Sequence, residues 1–357
     1  ITHHTFGVDN VQAIVNLALM RGMVGKKYAG LLPLRGHSNV QGIGSMGVTP
    51  QLKQAVLDNL QSKFPVILPT KPGLDTLACV ESANKKEIDF AFNLGGNLYG
   101  SNPDSQFTQM SLGKIGFSLF LNTTLNQGHF LGRGQNSLIL PVLARDEEPE
   151  PTTQESMFSF IRLSDGGFKR YSGPRSEVKI IAEIAQRVIG SNELPWESLS
   201  YTGNIREIIS RIIPGFEQLK NIDQTGKEFH IDKRILHTPR FSLPDGKASF
   251  KVCPIPAVRG NKRNCFTLMT IRSEGQFNTV VYEPDDRYRK VTTRNVVLMN
   301  KKDIKMIGLN QGDIVRVKNN TGIMTGQKLQ AFPIKSGNIM MYYPESNILV
   351  PRQFDPK

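Results

Sequence analysis

The segment Arg35-Gly-His37-Ser-Asn39-Val-Gln41 gathers a guanidinium, an imidazole and two amides on a loop bounded by glycine. A guanidinium presents donors in a fixed fork that matches a small anion, and the neighbouring groups can complete its shell. A polar surface loop is the plain alternative; the clustering of four donor-bearing side chains favours the anion. Directly after it, Gly42-Ile-Gly44-Ser-Met-Gly47 spells GxGxxG. A nicotinamide-binding turn would need a buried strand before it and an acid about twenty residues later. The preceding residues are too polar and no acid stands near 64–69, so the motif reads as a turn between elements. Further polar groups cluster at Gly95-Gly96-Asn97, at Ser101 to Asp104, and at Asn122-Thr123-Thr124 with Asn126 and His129. Glycine lets backbone approach a phosphate, while Asn, Thr and Asp can read a base edge or ribose. Ordinary turn chemistry explains any one of these clusters; two in succession suit a nucleotide-type ligand. Near the end, Arg272 to Thr279 and Tyr343 to Asn347 form two more polar stretches, and 285–289 reads as a salt-bridged turn.

These residues need elements to carry them. The spacing of Val11, Ile14, Val15, Ala18 and Leu19 predicts a helix capped by Asp9 or Asn10 and ended by Gly22. A glycine-rich loop over 31–47 separates it from a second amphipathic helix over 50–60. Three apolar runs follow, at 88–94, 117–122 and 137–142, without strict alternation, as in strands covered on both faces. Each is followed by a polar loop, so the expected layout is a parallel α/β sheet binding its ligand at the strands' carboxyl ends. The acidic stretch 146–154 reads as exposed loop, 177–189 and 205–213 as helices, and 221–264 as linker. Beyond Cys265 short strands at 266–272, 295–299, 313–318, 328–332 and 338–343 alternate with turns. One helix over 301–307, capped by Asn300 with Asp303 three residues on, interrupts this all-β barrel pattern.

Composition narrows the classes. The chain has 357 residues, 44 Lys+Arg against 31 Asp+Glu for a net charge of +13, and 39% hydrophobic residues, which suits a globular protein of two or three domains. The basic residues are not striped with aromatics, which argues against nucleic acid. No apolar run reaches membrane-spanning length. Cys79, Cys253 and Cys265 lie far apart with no CxxC pair, and the histidines show no HxxxH spacing. Reduced thiols in a cytoplasmic protein are therefore expected, with no metal ligands within these residues. Because the sequence opens on Ile1 and shows no leader, it reads as a piece of a longer protein.

The loop RGHSNVQG, preceded by VDNVQAIVNLALMRGMVGK, resembles the molybdopterin-guanine-dinucleotide oxidoreductases of the dimethyl sulfoxide reductase superfamily. It is most similar to formate dehydrogenase-like alpha subunits, and MTIRSEGQFNTVVYEPDDRYR resembles one uncharacterised branch of that group. LGGNLYGSNPD, TTLNQGH and YYPESNILVP fall in the same order as in those proteins, so the resemblance spans essentially the whole chain.

The resemblance implies a Rossmann-like α/β domain followed by a C-terminal double-psi β-barrel, with molybdenum or tungsten held by two pterin guanine dinucleotides. It implies residues 1–37 as the end of a preceding domain, 38–220 as the α/β part with 146–172 as an excursion, 221–264 as linker and 265–357 as a truncated barrel. Arg35 matches an arginine beside the metal that orients an anionic substrate, and His37 stands where formate dehydrogenases often have Gln. Asn97, Asp104, Asn122 and Thr123 fall in loops that hold one dinucleotide, joined by Asn39, Gln41, Gly96, Ser101 and Asn126 as cofactor contacts. Arg272, Ser273, Gln276, Phe277 and Asn278 match the barrel loop around the pterin, and Tyr343 and Asn347 a later barrel contact. The direct metal ligand, and in many relatives an iron–sulfur cluster, belong to an N-terminal part not present here. An electron-transfer subunit and a small anion such as formate are the implied partners. The alternative is a cofactor-binding module without catalysis, and a nicotinamide dehydrogenase rests on GIGSMG alone.

Overall fold

The computed structural model describes residues 2, 6–34, 36–232, 239, 241, 243–255 and 264–353. The chain divides into two compact units. One comprises Ile1–Asp75, Val142–Pro256 and Asp355–Lys357; the other comprises Thr76–Pro141 and Ala257–Phe354.

In chain order the strands are β1 (Phe90–Leu94), β2 (Phe117–Asn122), β3 (Asn136–Pro141), β4 (Thr152–Glu155), β5 (Phe160–Ser164) and β6 (Phe229–His230). They continue as β7 (Thr267–Ile271), β8 (Val296–Met299), β9 (Ile314–Lys318), β10 (Ile323–Ala331) and β11 (Asn338–Tyr342).

In the second unit β1, β2 and β3 form a parallel sheet, with Phe90 opposite Phe117 and Leu121 opposite Leu140. Parallel pairing requires crossovers, and helices Leu98–Ser101 and Ser105–Leu112 supply the first, Gly128–Leu131 the second. Helices Thr76–Asn84 and Ser105–Leu112 pack around Val80, Ala83, Leu112 and Ile115. β2 is buried from Ser118 onward, as its unbroken apolar text predicts. The two edge strands differ: Phe90, Phe92 and Leu94 of β1 are exposed, and so are Leu138 and Ile139 of β3.

The same unit holds a five-stranded mixed sheet in the order β7-β11-β8-β10-β9. β7 and β8 run parallel to β11 and β10 respectively, while β11 pairs with β8 and β10 with β9 in antiparallel fashion. Val297, Met299, Leu329 and Met341 pack on one side; Val296, Leu298, Met340 and Tyr342 pack on the other. β8 is therefore buried on both faces. Fully burying Leu298 or Leu329 contributes about 1.5–3 kcal/mol each.

In the first unit β4, β5 and β6 form an antiparallel sheet over Ile161, Phe216, Leu219, Ile222 and Phe229. Buried Arg206 makes a bidentate pair with Asp223, at 2.9 and 2.6 Å.

Several local expectations change. The first helix is Gly7–Met20 with Phe6 as its N-cap, not Asp9 or Asn10. The next amphipathic helix is Gln54–Lys63, later than the 50–60 pattern. Gly42 and Gly44 lie inside a short helix, Val40–Ser45, and the turn falls on Gly47 at φ 93°. The acidic stretch 146–154 is not all exposed. Glu147 is buried, accepting from the Ala144 and Arg170 amides at 2.9 and 3.2 Å, and β4 begins at Thr152. Within 221–264, Ile222 is fully buried and β6 pairs with β5. Asn300 caps helix Lys301–Met306 as expected, but buried Asp303 turns away to accept from Ser336 and the Gly337 amide. No helix among the described residues is long and apolar enough to cross a membrane.

Candidate functional site

At the carboxyl end of β1 the chain turns through Gly95 and Gly96, with φ of 65° and 75° and open space where a Cβ would stand. Only glycine takes this left-handed backbone without strain. Asn97 follows as the buried N-cap of Leu98–Ser101: its Oδ1 accepts from the Gly100 amide at 2.8 Å, and its Nδ2 donates to the Thr279 carbonyl at 2.9 Å. Asn126 donates to the Gly96 carbonyl at 3.0 Å and accepts from the Gly128 amide at 2.8 Å. Its own amide donates to Nδ1 of His129 at 3.0 Å. His129 lies edge-on against Phe120, with centroids 5.0 Å apart, and burial lowers its pKa below the ordinary imidazole value. A small cavity opens here, lined by Asn93, Gly95, Gly96, Asn97, Tyr99 and His129 among others.

Asn122, at the carboxyl end of β2, is buried, with Nδ2 directed at the Gly96 and Thr124 carbonyls at 3.4 and 3.5 Å. Its Oδ1 is buried without a hydrogen-bond partner. A buried acceptor left unpaired is costly, and parallel sheets bind ligands at this end.

The loop after β7 forms the other wall. Gln276 Nε2 donates to the carbonyls of Asn278 (2.7 Å) and Tyr343 (2.8 Å), and its Oε1 accepts from the Ser273 amide at 3.0 Å. Asn278 takes a positive φ of 51°, and its Oδ1 accepts from Arg272 at 3.3 Å and Tyr343 Oη at 3.4 Å. The Arg272 guanidinium lies 5.1 Å from the centre of the Tyr343 ring, whose hydroxyl burial pushes to a higher pKa. Asn347 donates to the Gly100 carbonyl at 2.9 Å, and its carbonyl accepts from the Asp104 amide at 2.9 Å.

Residues 96–126, 272–278 and 343–347 thus meet within one unit. Not all of them face a ligand. Asp104 caps helix Ser105–Leu112 and pairs with Arg352 at 3.1 Å; Ser101 donates to the Asn97 carbonyl at 2.8 Å. Thr123 and Phe277 are exposed. His37, Asn39 and Gln41 belong to the other unit. There His37 is exposed, Gln41 is half-buried, and Asn39 precedes helix Val40–Ser45 with its Oδ1 accepting from the Glu155 amide at 3.0 Å. Arg35 lies outside the described residues.

A family model described as the molydopterin dinucleotide binding domain matches residues 266–357. An uncharacterized oxidoreductase of Mycobacterium tuberculosis is 32% identical over 377 residues, which cover 98% of this chain and 47% of that protein. The F420-dependent formate dehydrogenase subunit alpha of Methanocaldococcus jannaschii is 24% identical over 372 residues, covering 97% of this chain and 53% of that one. Residues 266–357 belong to the molydopterin dinucleotide binding family, and the chain is similar along nearly its whole length to proteins named as oxidoreductases.

The chain spans about half the length of these relatives. Among solved structures, acetylene hydratase from Pelobacter acetylenicus shares the fold. Its TM-score is 0.55 at 16% identity, over 77% of this chain and 40% of that one. The residues present fit the family's dinucleotide. Gly95 and Gly96 leave backbone open at a strand end, and Asn122, whose Nδ2 faces the Gly96 carbonyl at 3.4 Å, keeps a buried Oδ1 without a hydrogen-bond partner. No group of three or more His, Cys, Asp or Glu side chains able to hold a metal ion occurs among the described residues.

Arg294 escapes sequence reading: it is a charged residue that turns out buried, whereas Asp286 and His129 lie in stretches the sequence already singles out. The available signal was the density of tyrosines around it, since a cation over aromatic rings is a recurrent arrangement.

Proposed function

We propose that the chain forms one cofactor-binding face of a molybdenum (or tungsten) bis-molybdopterin guanine dinucleotide oxidoreductase acting on a small anion such as formate. The observation that carries the reading is the unpaired Oδ1 of Asn122, whose amide nitrogen faces the Gly96 carbonyl of the open Gly95-Gly96 turn, at the carboxyl end of a parallel sheet. In this reading Asn122 accepts from a base or ribose donor, and the Gly96 turn lets backbone approach a phosphate. Arg272 brings positive charge toward the pyrophosphate, while Ser273, Gln276, Phe277, Asn278, Tyr343 and Asn347 shape the barrel wall around the pterin. Asn97, Ser101, Asp104, Thr123 and Asn126 build the α/β wall. Residues 265–357 form a double-psi barrel, to which the burial of β8 on both faces lends support. When bound, the cofactor supplies the two-electron chemistry. The protein's part is orientation: Arg35 fixes the anion through bidentate donation and His37 stands beside it. The metal ligand, an iron–sulfur cluster and the path to an electron-transfer subunit belong to the rest of the protein, and the three reduced cysteines suit a cytoplasmic setting.

Metal and pterin analysis of the full-length protein, with formate-dependent dye reduction, tests this. Stoichiometric molybdenum or tungsten with dye reduction supports it. Bound pterin without metal or turnover would favour a cofactor-binding module without catalysis, and no bound pterin would defeat both.

A further inference from the structure

Ser273, Gln276 and Tyr343 share one partner. Arg294 stands just before β8, 8% exposed, inside the unit that holds the barrel. Its Nε and Nη2 grip Glu345 at 2.6 and 3.0 Å. Nη2 also donates to the Tyr343 carbonyl at 2.6 Å, and Nη1 donates to Ser273 Oγ at 2.9 Å. Both Nη atoms reach Gln276 Oε1 at 3.4 Å. The faces of the guanidinium lie 4.3 and 4.9 Å from the ring centres of Tyr282 and Tyr342.

This arrangement goes beyond cancelling a charge. Glu345 alone would neutralise Arg294, and a buried ion pair is weak evidence of stabilisation. The remaining donors converge on two separate backbone segments: the loop after β7 and the turn after β11. Arg289 holds the same loop from its other end, donating to the Arg272 carbonyl at 3.0 Å. A planar fork with five donors and two stackable faces can span both segments; an ammonium with three donors and no plane cannot.

We propose that Arg294 is a positioning residue, which locks the 272–278 loop and the 343–347 turn into the one geometry that receives the cofactor. This rests on the reading of those segments as cofactor contacts. Arg294 acts through those two segments.

The test uses the full-length protein with Arg294→Met, Arg294→Lys and Leu329→Ala. The last removes a buried core side chain of the same sheet and controls for lost stability. Two quantities are read: pterin retained per chain after gel filtration, and amide exchange across 272–278. Arg294→Met is expected to retain about tenfold less pterin and to expose the loop amides, as losing charge-assisted donors implies. Arg294→Lys keeps the charge, so it folds, and it shows the same two changes in milder form. Leu329→Ala, with an equal or larger drop in Tm, keeps both at wild-type values. The proposal is overturned if the Arg294 variants match wild type, or if Leu329→Ala loses as much pterin at equal Tm. A wild-type protein that binds no pterin would sink the functional reading instead. The exchange arm would then still decide whether Arg294 holds the loop: unchanged protection in Arg294→Met rejects it.

Discussion

Asn97 and Thr279 are 182 positions apart, yet the Asn97 amide donates to the Thr279 carbonyl at 2.9 Å while accepting from Gly100 at 2.8 Å. One buried side chain therefore starts the helix that follows β1 and pins the loop that follows β7. The two walls of the candidate site are fixed to each other by an amide, which, unlike a carboxylate, has both a donor and an acceptor to give.

Asn97→Ala removes both bonds and leaves a buried N–H and C=O unpaired, so it should destabilise the protein by about 1–3 kcal/mol. Asn97→Asp keeps the acceptor for Gly100 but sets a carboxylate against the Thr279 carbonyl, so it should rescue the helix and not the loop. Urea unfolding with amide exchange at Gly100 and near Thr279 separates the two. An unchanged midpoint in Asn97→Ala would remove Asn97 from this role.

Asp286 gives a pH prediction. Burial raises its carboxyl pKa, but hydrogen bonds from Arg289 and Tyr342 outweigh that and hold it below the ordinary carboxylate value. Tyr342 Oη donates at 2.9 Å, and its own pKa is pushed up to about 12, so it stays a donor throughout. A folded-state pKa below the unfolded one contributes stability that is present above about pH 4 and lost as pH falls through the folded value. Tyr342→Phe should therefore narrow this gap and bring acid unfolding on at higher pH. Asp286→Asn should remove the dependence. Acid titrations followed by circular dichroism read both; coincident curves for wild type and Asp286→Asn would refute the assignment.

What was legible in the sequence tracks local periodicity and end chemistry. β2 falls on 117–122 because a central parallel strand reads as an unbroken apolar run, and Asn300 marks its helix because a cap is a local interaction. The polar residues at strand ends were legible for the same reason: an α/β sheet tells where its loops must face. β4 was not, because Thr152 to Glu155 is polar text that becomes a strand only by pairing with β5. Arg294 was hidden because an isolated charge looks like surface until the fold gathers its partners, here from positions as distant as Glu345. Nor does periodicity report that 76–141 and the strands β7 to β11 share one compact unit.

His129 makes the cavity sensitive to acid. Burial holds its pKa below the ordinary value, and Nδ1 accepts the Asn126 amide only while unprotonated. In the unfolded chain the imidazole takes its proton near pH 6.5, so stability is full above that and declines as pH falls toward the folded value. Amide exchange over 126–131, corrected for intrinsic rates, should be faster at about pH 5.5 than at about pH 7.5. His129→Phe, which has no proton to take, should flatten the difference. A wild-type loop with equal protection at both values would contradict this.

Gly96 separates backbone strain from cofactor binding. A Cβ there meets nothing within 4 Å, so an alanine costs stability only through its φ of 75°, about 1–2 kcal/mol. The added methyl would nevertheless stand where backbone must approach the dinucleotide. Gly96→Ala should thus fold with a modestly lower midpoint and retain much less pterin than that loss explains. Gly226→Ala supplies the control: it carries the same strain at φ 61°, equally open, in the other unit. It should match the stability loss and keep its pterin. Equal pterin content in the two variants would show that the Gly96 turn does not face the cofactor, and the reading of the β1 end as a phosphate cradle would fall with it.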